Sequence, residues 1–382
     1  MQIIDNSNKL IQYCNKIKDY DFITLDTEFL REKTYFSKLC LIQISTPDLA
    51  ESAIIDPLSD IDLSPLFEIL DNNKITKVLH SSSQDLEIFY NLTGKVPKNV
   101  FDTQIGASVI GLGEQVSYDT LVKKICKKQL DKGVRFTDWS IRPLNKSQLN
   151  YAINDVTHLV EIYKYIISEI ERLNRKDWIK KEFDKITNEK TYQIKPLEAY
   201  KRIKFRTNNR KVLAKLREIS KWRELSAMKV NVPRKHFIKD ETIIDIASSK
   251  IRSSDDLSRI RNFPKSWLKS ERSDEIIAII EKVNNMPQSD YPEIVKIKQL
   301  NAGQKASIDL LKSLLKECAK KHNISPSLIA KQNDLENFIN NPEHNEITKG
   351  WKLEVFGEKA IKLMNGDIAL TIKNQQLEFI SV

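Results

Sequence analysis

The sequence has no apolar run approaching the ~20 residues that a membrane-spanning helix needs, which argues against a helical membrane protein. Its first residues lack the basic segment and apolar stretch of a secretory signal, so a cytoplasmic chain is expected. Cysteine is scarce, and Cys14, Cys40, Cys126 and Cys318 form no CxxC pair. That scatter disfavours a zinc site or a disulfide framework and suits a reducing compartment. Low-complexity tracts and Cys/His clusters are missing as well. What remains is the composition of a globular protein, 40% hydrophobic and 30% charged over 382 residues. That length predicts two to four domains.

The formal charge is +10, and it is concentrated. Between Lys195 and Lys235 stand 14 Lys/Arg against only Glu198, Glu218 and Glu224, so this window carries +11 and the other residues about −1. A patch that holds the whole net charge suits a polyanion, most simply nucleic acid. Lys201, Arg202, Lys204, Arg206, Arg210, Lys211, Arg234 and Lys235 are its candidate phosphate contacts. The competing reading is a solvated helix face.

Periodicity divides the chain. Residues 1–20 read as a short helix, with Leu10, Ile11, Cys14 and Ile17 at helical spacing. Strands follow at 21–26, 38–45 and 52–56, a pattern that suggests an antiparallel meander. Helices and short strands then alternate. Ser64-Pro65 opens one helix, and Ser82 or Ser83 caps another that Gly94 ends. Ser117 caps a further one. Asn145 caps a helix over 146–154, and a long amphipathic helix starts at Asp155. This alternation indicates an α/β domain with a mixed sheet. From about residue 208 the pattern is helical, with Val212, Leu213, Leu216, Ile219, Trp222, Leu225 and Met228 as an apolar face. The last segment ends in a hairpin around 373–376.

The chemistry centres on Phe22-Ile23-Thr24-Leu25-Asp26-Thr27-Glu28-Phe29. In a strand, residues i and i+2 point to one side, so Asp26 and Glu28 project together. Like charges held that close call for a cation between them. Asp85 falls in the first turn of a helix, where it would also favour the macrodipole. Tyr151 and Asp155 are spaced i, i+4 and share a helix face. Four acids with a helical tyrosine are the parts of a two-metal phosphodiesterase site. Oxygen ligands suit Mg²⁺ or Mn²⁺.

These segments resemble the motifs of the ribonuclease D family, within the DEDD exonuclease superfamily. Asp26-Thr27-Glu28-Phe29 resembles its first motif, His80 to Phe89 with Asp85 its second, and Tyr151-Ala152-Ile153-Asn154-Asp155-Val156 its third. Thr137 to Leu144 is similar to a stretch typical of the family. The resemblance implies a ribonuclease H-like exonuclease domain followed by two all-α HRDC-like domains. It assigns two divalent metal ions to Asp26, Glu28, Asp85 and Asp155, and the orientation of the attacking water to Tyr151. Asn150 stands where the DEDDh branch has its histidine, so Tyr151 places the chain in the DEDDy branch. His158 is read as structural.

Trp222-Arg223-Glu224, Asn231-Val232-Pro233-Arg234 and Phe237-Ile238-Lys239-Asp240 resemble an HRDC domain, a module that commonly binds nucleic acid. Gly350-Trp351 and the final hairpin resemble a second, diverged one. The expected layout is an exonuclease domain over 1–175, a connector over 176–207, an HRDC domain over 208–288 and a second HRDC-like domain over 293–382. The expected activity is a monomeric, metal-dependent 3′→5′ exoribonuclease that releases nucleoside 5′-monophosphates. The resemblance suggests RNA such as tRNA precursors with 3′ extensions as its partner. The alternatives are a DNA 3′→5′ exonuclease of the same fold and a non-catalytic RNA-binding protein.

Overall fold

A six-stranded mixed sheet organises the first part of the chain. The computed structural model describes residues 2–130, 133, 137–294 and 300–382. The strands are β1 (Gln2–Ile4), β2 (Phe22–Leu30), β3 (Lys38–Ser45), β4 (Ala53–Ile55), β5 (Thr76–Leu79) and β6 (Val100–Asp102). Their order across the sheet is β1-β4-β3-β2-β5-β6. β3 and β4 pair antiparallel, while β1–β4, β2–β5 and β5–β6 pair parallel. Every residue of β3 except Lys38 is buried, as expected of a strand covered on both faces. Between the strands run α1 (Ser7–Ile17), α2 (Ser64–Asp71), α3 (Ser83–Thr93) and α4 (Thr103–Val109). After β6 come α5 (Tyr118–Leu121), α6 (Lys146–Arg172) and α7 (Lys176–Ile186).

Two expectations are corrected here. The first residues begin with a strand rather than a helix: Gln2, Ile3 and Ile4 pair with Ala53, Ile54 and Ile55, and the helix starts only at Ser7. Three residues are too few for periodicity to register. The helix capped by Asn145 does not stop before Asp155. It runs unbroken to Arg172, with a capping box in which Asn145 and Gln148 bond each other's backbone N–H. No Gly or Pro interrupts residues 146–172, so nothing breaks it there.

The chain clusters into two compact units. The first joins Met1–Glu28, Leu39–Thr191 and Gln299–Val382. Within it, the C-terminal helices surround Leu311, Leu314, Cys318, Phe338 and Phe356. Of the segment expected over 293–382, residues 295–299 lie outside the described residues. The hairpin arrives as β7 (Ile368–Lys373) and β8 (Gln376–Ser381), turning at Asn374 and Gln375 with φ of +51° and +61°. This C-terminal portion is fastened to the exonuclease portion. Trp178 and Trp351 stack with ring centroids 4.3 Å apart and planes 10° from parallel. Arg175 lies over Trp178 and donates to the carbonyls of Val109 and His322.

The second unit joins Phe29–Lys38 to Tyr192–Lys298. Its axis is α8 (Arg210–Lys229), enclosed by the helices Asp240–Ser248 and Glu271–Asn284 around Leu216, Ile219, Ile243, Ile246, Ile276 and Ile280. The expected apolar face of α8 is only partly right. Leu225 is exposed, while Arg223 and Glu224 are buried at 2% and 1% exposure. Most of this central helix is enclosed, so its buried charges are paired inside. Arg223 donates to Asp240 at 2.6 Å and to the Ile238 carbonyl.

The junction inside the first unit yields a test. Gly111 has φ +85°, and a Cβ there would come 2.1 Å from the Asn323 carbonyl oxygen. Gly111→Ala should therefore destabilise the protein by about 2–5 kcal/mol, read as a lower denaturation midpoint. An unchanged midpoint would contradict this packing.

Candidate metal centre and active site

The site is built where β2 meets α6. Thr24, Asp26 and Glu28 share one face of β2. The Thr24 hydroxyl donates to the Val156 carbonyl at 2.8 Å and reaches the Ser45 carbonyl at 3.3 Å, which sets α6 against the strand. Two residues further along β2, Asp26 meets Asp155, the residue before Val156. One carboxylate oxygen from each of Asp26, Glu28 and Asp155 lies within 4.8 Å of the others.

Two unit charges at that separation repel by about 3–4 kcal/mol at an effective dielectric of ~20. Three such pairs amount to about 10 kcal/mol, as much as the whole stability of an ordinary domain. The cluster must either take up protons or hold a cation. Burial pushes the Asp26 carboxyl well above its usual range, and the charges of Asp155, Asp85 and Glu28 push it further. All the donors are carboxylate oxygens, a set fit for a hard divalent cation.

Asp85 stands apart from this trio. It is buried at 6% exposure, in the first turn of α3. Its carboxylate accepts the hydroxyl and the backbone N–H of Thr27, the residue between the two acids of β2. Burial raises its pKa to about 7, against the lowering effect of the Thr27 bond. The turn before it is held by Asp102, which accepts from Ser81 N, Ser82 N and Ser82 Oγ while capping α4. Ser82 thus occupies the cap position of α3, but its hydroxyl is turned to Asp102.

Tyr151 lies on α6 one turn before Asp155 and is half-buried. The ring of buried Trp139 packs 6.0 Å from it. The loop carrying Trp139 is fastened by Arg142, which makes a two-pronged pair with Asp56 at 2.6 and 2.7 Å and donates to the Cys40 and Trp139 carbonyls. Asn150 and His158 share α6 with Tyr151. His158 bonds the Asn154 carbonyl through Nδ1.

Several contributors escaped the sequence reading. Tyr118 donates its hydroxyl to the backbone carbonyls of Asp155 at 2.7 Å and Asn154 at 3.1 Å. Burial raises its pKa far above normal, with the Asp155 and Asp26 carboxylates adding to the effect. Thr24, Thr27 and Asp102 were equally silent, since a hydroxyl or cap residue has no signature until its partner is in place.

The eight candidate phosphate contacts divide. Arg202 and Arg234 both reach buried Glu224, at 3.4 and 3.2 Å. Tyr35 completes that group, its hydroxyl 2.5 Å from Glu224 and its ring 5.5 Å under the Arg234 guanidinium. Lys201 pairs with Glu198 and Lys235 with Asp240, both loosely. Arg210 donates to the Tyr291 and Pro292 carbonyls. The side chains of Lys204, Arg206 and Lys211 have no hydrogen-bond or ion-pair partner among the described residues. Lys211 lines a groove of about 860 Å³ with Arg210, Asn208, Asn209 and Tyr291.

Residues 1–171 match the family described as 3′-5′ exonuclease, and residues 212–280 match the HRDC domain. Ribonuclease D of Jannaschia sp. (strain CCS1) is 38% identical over 382 residues, spanning 99% of both chains. Ribonuclease D of Bartonella henselae is 39% identical over 380 residues, spanning 99% of this chain and 93% of its own. The chain belongs to the ribonuclease D family of 3′→5′ exoribonucleases. The family resemblance drawn from the motifs is thereby borne out. The crystal structure of Escherichia coli RNase D, an exoribonuclease involved in structured RNA processing, has a TM-score of 0.83 with 28% identity. It spans 95% of this chain and 98% of the other. A Bifidobacterium adolescentis protein shares the fold, with a TM-score of 0.69 at 21% identity.

The raised carboxyls set a pH dependence in this ribonuclease D family member. Asp85 goes from an ordinary 3.8 to about 7, so between those values the folded state holds more protons than the unfolded one. Stability without metal then falls as pH rises through that window. In chelator, the melting temperature should drop by roughly 5 °C between pH 5 and 7.5. Mn²⁺ should restore it, and by more at pH 7.5 than at pH 5. A Mn²⁺ effect that is larger at pH 5 would contradict the electrostatics.

Proposed function

We propose that the protein is a two-metal 3′→5′ exoribonuclease that removes nucleoside 5′-monophosphates from structured RNA such as tRNA precursors. The observation that carries the proposal is the convergence of Asp26, Glu28 and Asp155 oxygens within 4.8 Å, one helical turn from Tyr151. In this reading Asp26, Glu28, Asp85 and Asp155 hold two Mg²⁺ or Mn²⁺ ions, with Thr27 bonding Asp85 from the β2 side. Bound there, such a pair activates water and offsets charge on a phosphodiester.

The chain's own residues do the positioning. Tyr151 orients a water for in-line attack on the terminal phosphodiester phosphorus. A new P–O bond forms and the bond to the penultimate 3′-oxygen breaks. The products are a nucleoside 5′-monophosphate and an RNA one residue shorter with a free 3′-hydroxyl. Thr24 and Tyr118 keep the Asp155 turn of α6 in register with β2. The cations Lys204, Arg206 and Lys211 serve as phosphate contacts in the HRDC region, and Arg202 and Arg234 serve as internal braces. Residues 300–382 are read as a second, diverged HRDC-like domain. The protein acts as a monomer in the cytoplasm, a reducing setting in keeping with its four buried free thiols.

Asp155→Asn should slow RNA cleavage by about 10²–10³-fold or more, while RNA binding measured by fluorescence anisotropy persists. Tyr151→Phe should slow it by about 10²-fold or more. Charge reversal at Lys204, Arg206 and Lys211 should weaken binding and flatten its salt dependence by about 0.7 in slope for each phosphate no longer neutralised. Cleavage by Asp155→Asn at the wild-type rate would overturn the site. Faster digestion of a matched DNA oligonucleotide would overturn the RNA assignment.

A further inference from the structure

The HRDC motifs of the second unit carry polar residues whose partners the structure makes plain. Arg223 turns inward to Asp240. Glu224, Asn231 and Arg234 instead all meet one short segment, the loop 31–37 between β2 and β3. Asn231 follows the end of α8 at φ +50°, a conformation that asparagine accepts readily. Its Oδ1 accepts the backbone N–H groups of Tyr35 and Phe36, both at 3.1 Å. The Tyr35 hydroxyl donates to Glu224 Oε1, and its ring lies under the Arg234 guanidinium. Burial and the Glu224 carboxylate push the Tyr35 phenol up to about 12, so it stays a donor at ordinary pH. The Thr34 hydroxyl donates to the Phe36 carbonyl at 2.6 Å and closes the turn.

The loop so clasped is the continuation of the strand that carries Glu28. Glu28 lies three residues before residue 31, near the end of β2. On its β5 side, β2 is paired at Phe22, Ile23 and Thr24, so Glu28 stands four residues beyond the last of those pairs. Asp26 is held more closely along the chain. Thr24 is bonded to α6 two residues before it, and Thr27 to Asp85 one residue after it. Past Glu28, residues 29–38 group with 192–298 in the second unit. The backbone leaving Glu28 is therefore gripped next by Asn231 and Glu224. No proline stiffens residues 29–38, so their shape depends on such contacts. A carboxylate near a strand end holds a metal well only while the backbone around it is fixed, because ligand sets lose affinity when their supporting contacts go.

We propose that Tyr35, Glu224 and Asn231 are positioning residues for Glu28: the HRDC motifs clasp the loop that follows β2 and thereby hold this metal ligand in place for the exonuclease reaction. The proposal rests on the two-metal reading above, and the experiment separates the two. Mn²⁺ affinity is measured by titration calorimetry on the full chain without RNA. Tyr35→Phe and Asn231→Ala should each raise the Mn²⁺ dissociation constant about tenfold. Asn231→Asp, whose carboxylate can accept the same two N–H groups, should restore it. RNA affinity in chelator, read by fluorescence anisotropy, should not change in Tyr35→Phe or Asn231→Ala. Their cleavage should fall at limiting Mn²⁺ and recover at saturating Mn²⁺. Alanine is strained at φ +50°, so if Asn231→Ala fails to fold, Tyr35→Phe decides, since it keeps the ring and the backbone. Unchanged Mn²⁺ affinity in folded Tyr35→Phe would overturn the proposal and leave the clasp as a fastening of the second unit alone. Weaker RNA binding with Mn²⁺ affinity unchanged would overturn it in favour of direct RNA contact. If the unmodified chain takes up no Mn²⁺, the two-metal reading falls and the proposal with it.

Discussion

Repulsion among Asp26, Glu28 and Asp155 is the constraint that the rest of the exonuclease portion answers. Three carboxylates within 4.8 Å do not assemble on their own. The fold brings them together by pinning backbone. Thr24 and Tyr118 grip consecutive carbonyls of α6 at Asp155 and Val156, where the helix meets β2. Thr27 and Asp102 fix Asp85 from the other side. Asp102 apart, these contacts are made by neutral hydroxyls rather than by cations. Beside Asp26 the acting influences are burial, three acids and one backbone N–H. A lysine or arginine there would relieve the repulsion and fill the place that a divalent cation needs. The crowding of acids around buried Asp26 is what favours a divalent cation at this place.

Much of this was legible in the sequence because it follows from local periodicity. The two-residue spacing on β2 put Asp26 and Glu28 on one face. The four-residue spacing on α6 put Tyr151 beside Asp155, and the caps at Asn145 and Gly94 fall where they were read. The unforeseen contacts are long-range ones. Thr27 reaches Asp85 across 58 positions, and Thr24 reaches Val156 across 132. A threonine in a β-branched strand carries no mark of such a partner. The opening strand β1 and the unbroken α6 were missed for local reasons, three residues being too short to read and the i, i+4 pair lying mid-helix.

The basic window shows the opposite limit. Composition counts charges without showing what they face. In that window Glu224 is the acid that matters most, because α8 is surrounded and an unpaired buried carboxylate is costly. Arg202, Arg234 and Tyr35 gather on it, so part of the positive excess works inside the fold. The cations left over are the ones a polyanion can use.

The central claim is that the crowded carboxylates are a cation site. Crystals soaked in Mn²⁺ and measured for anomalous scattering test it most directly. The account predicts peaks between Asp26, Glu28 and Asp155, with ligand oxygens at about 2.0–2.2 Å. Crystals at pH 7.5 with full Mn²⁺ access, no peak there and the three carboxylates unmoved would contradict it.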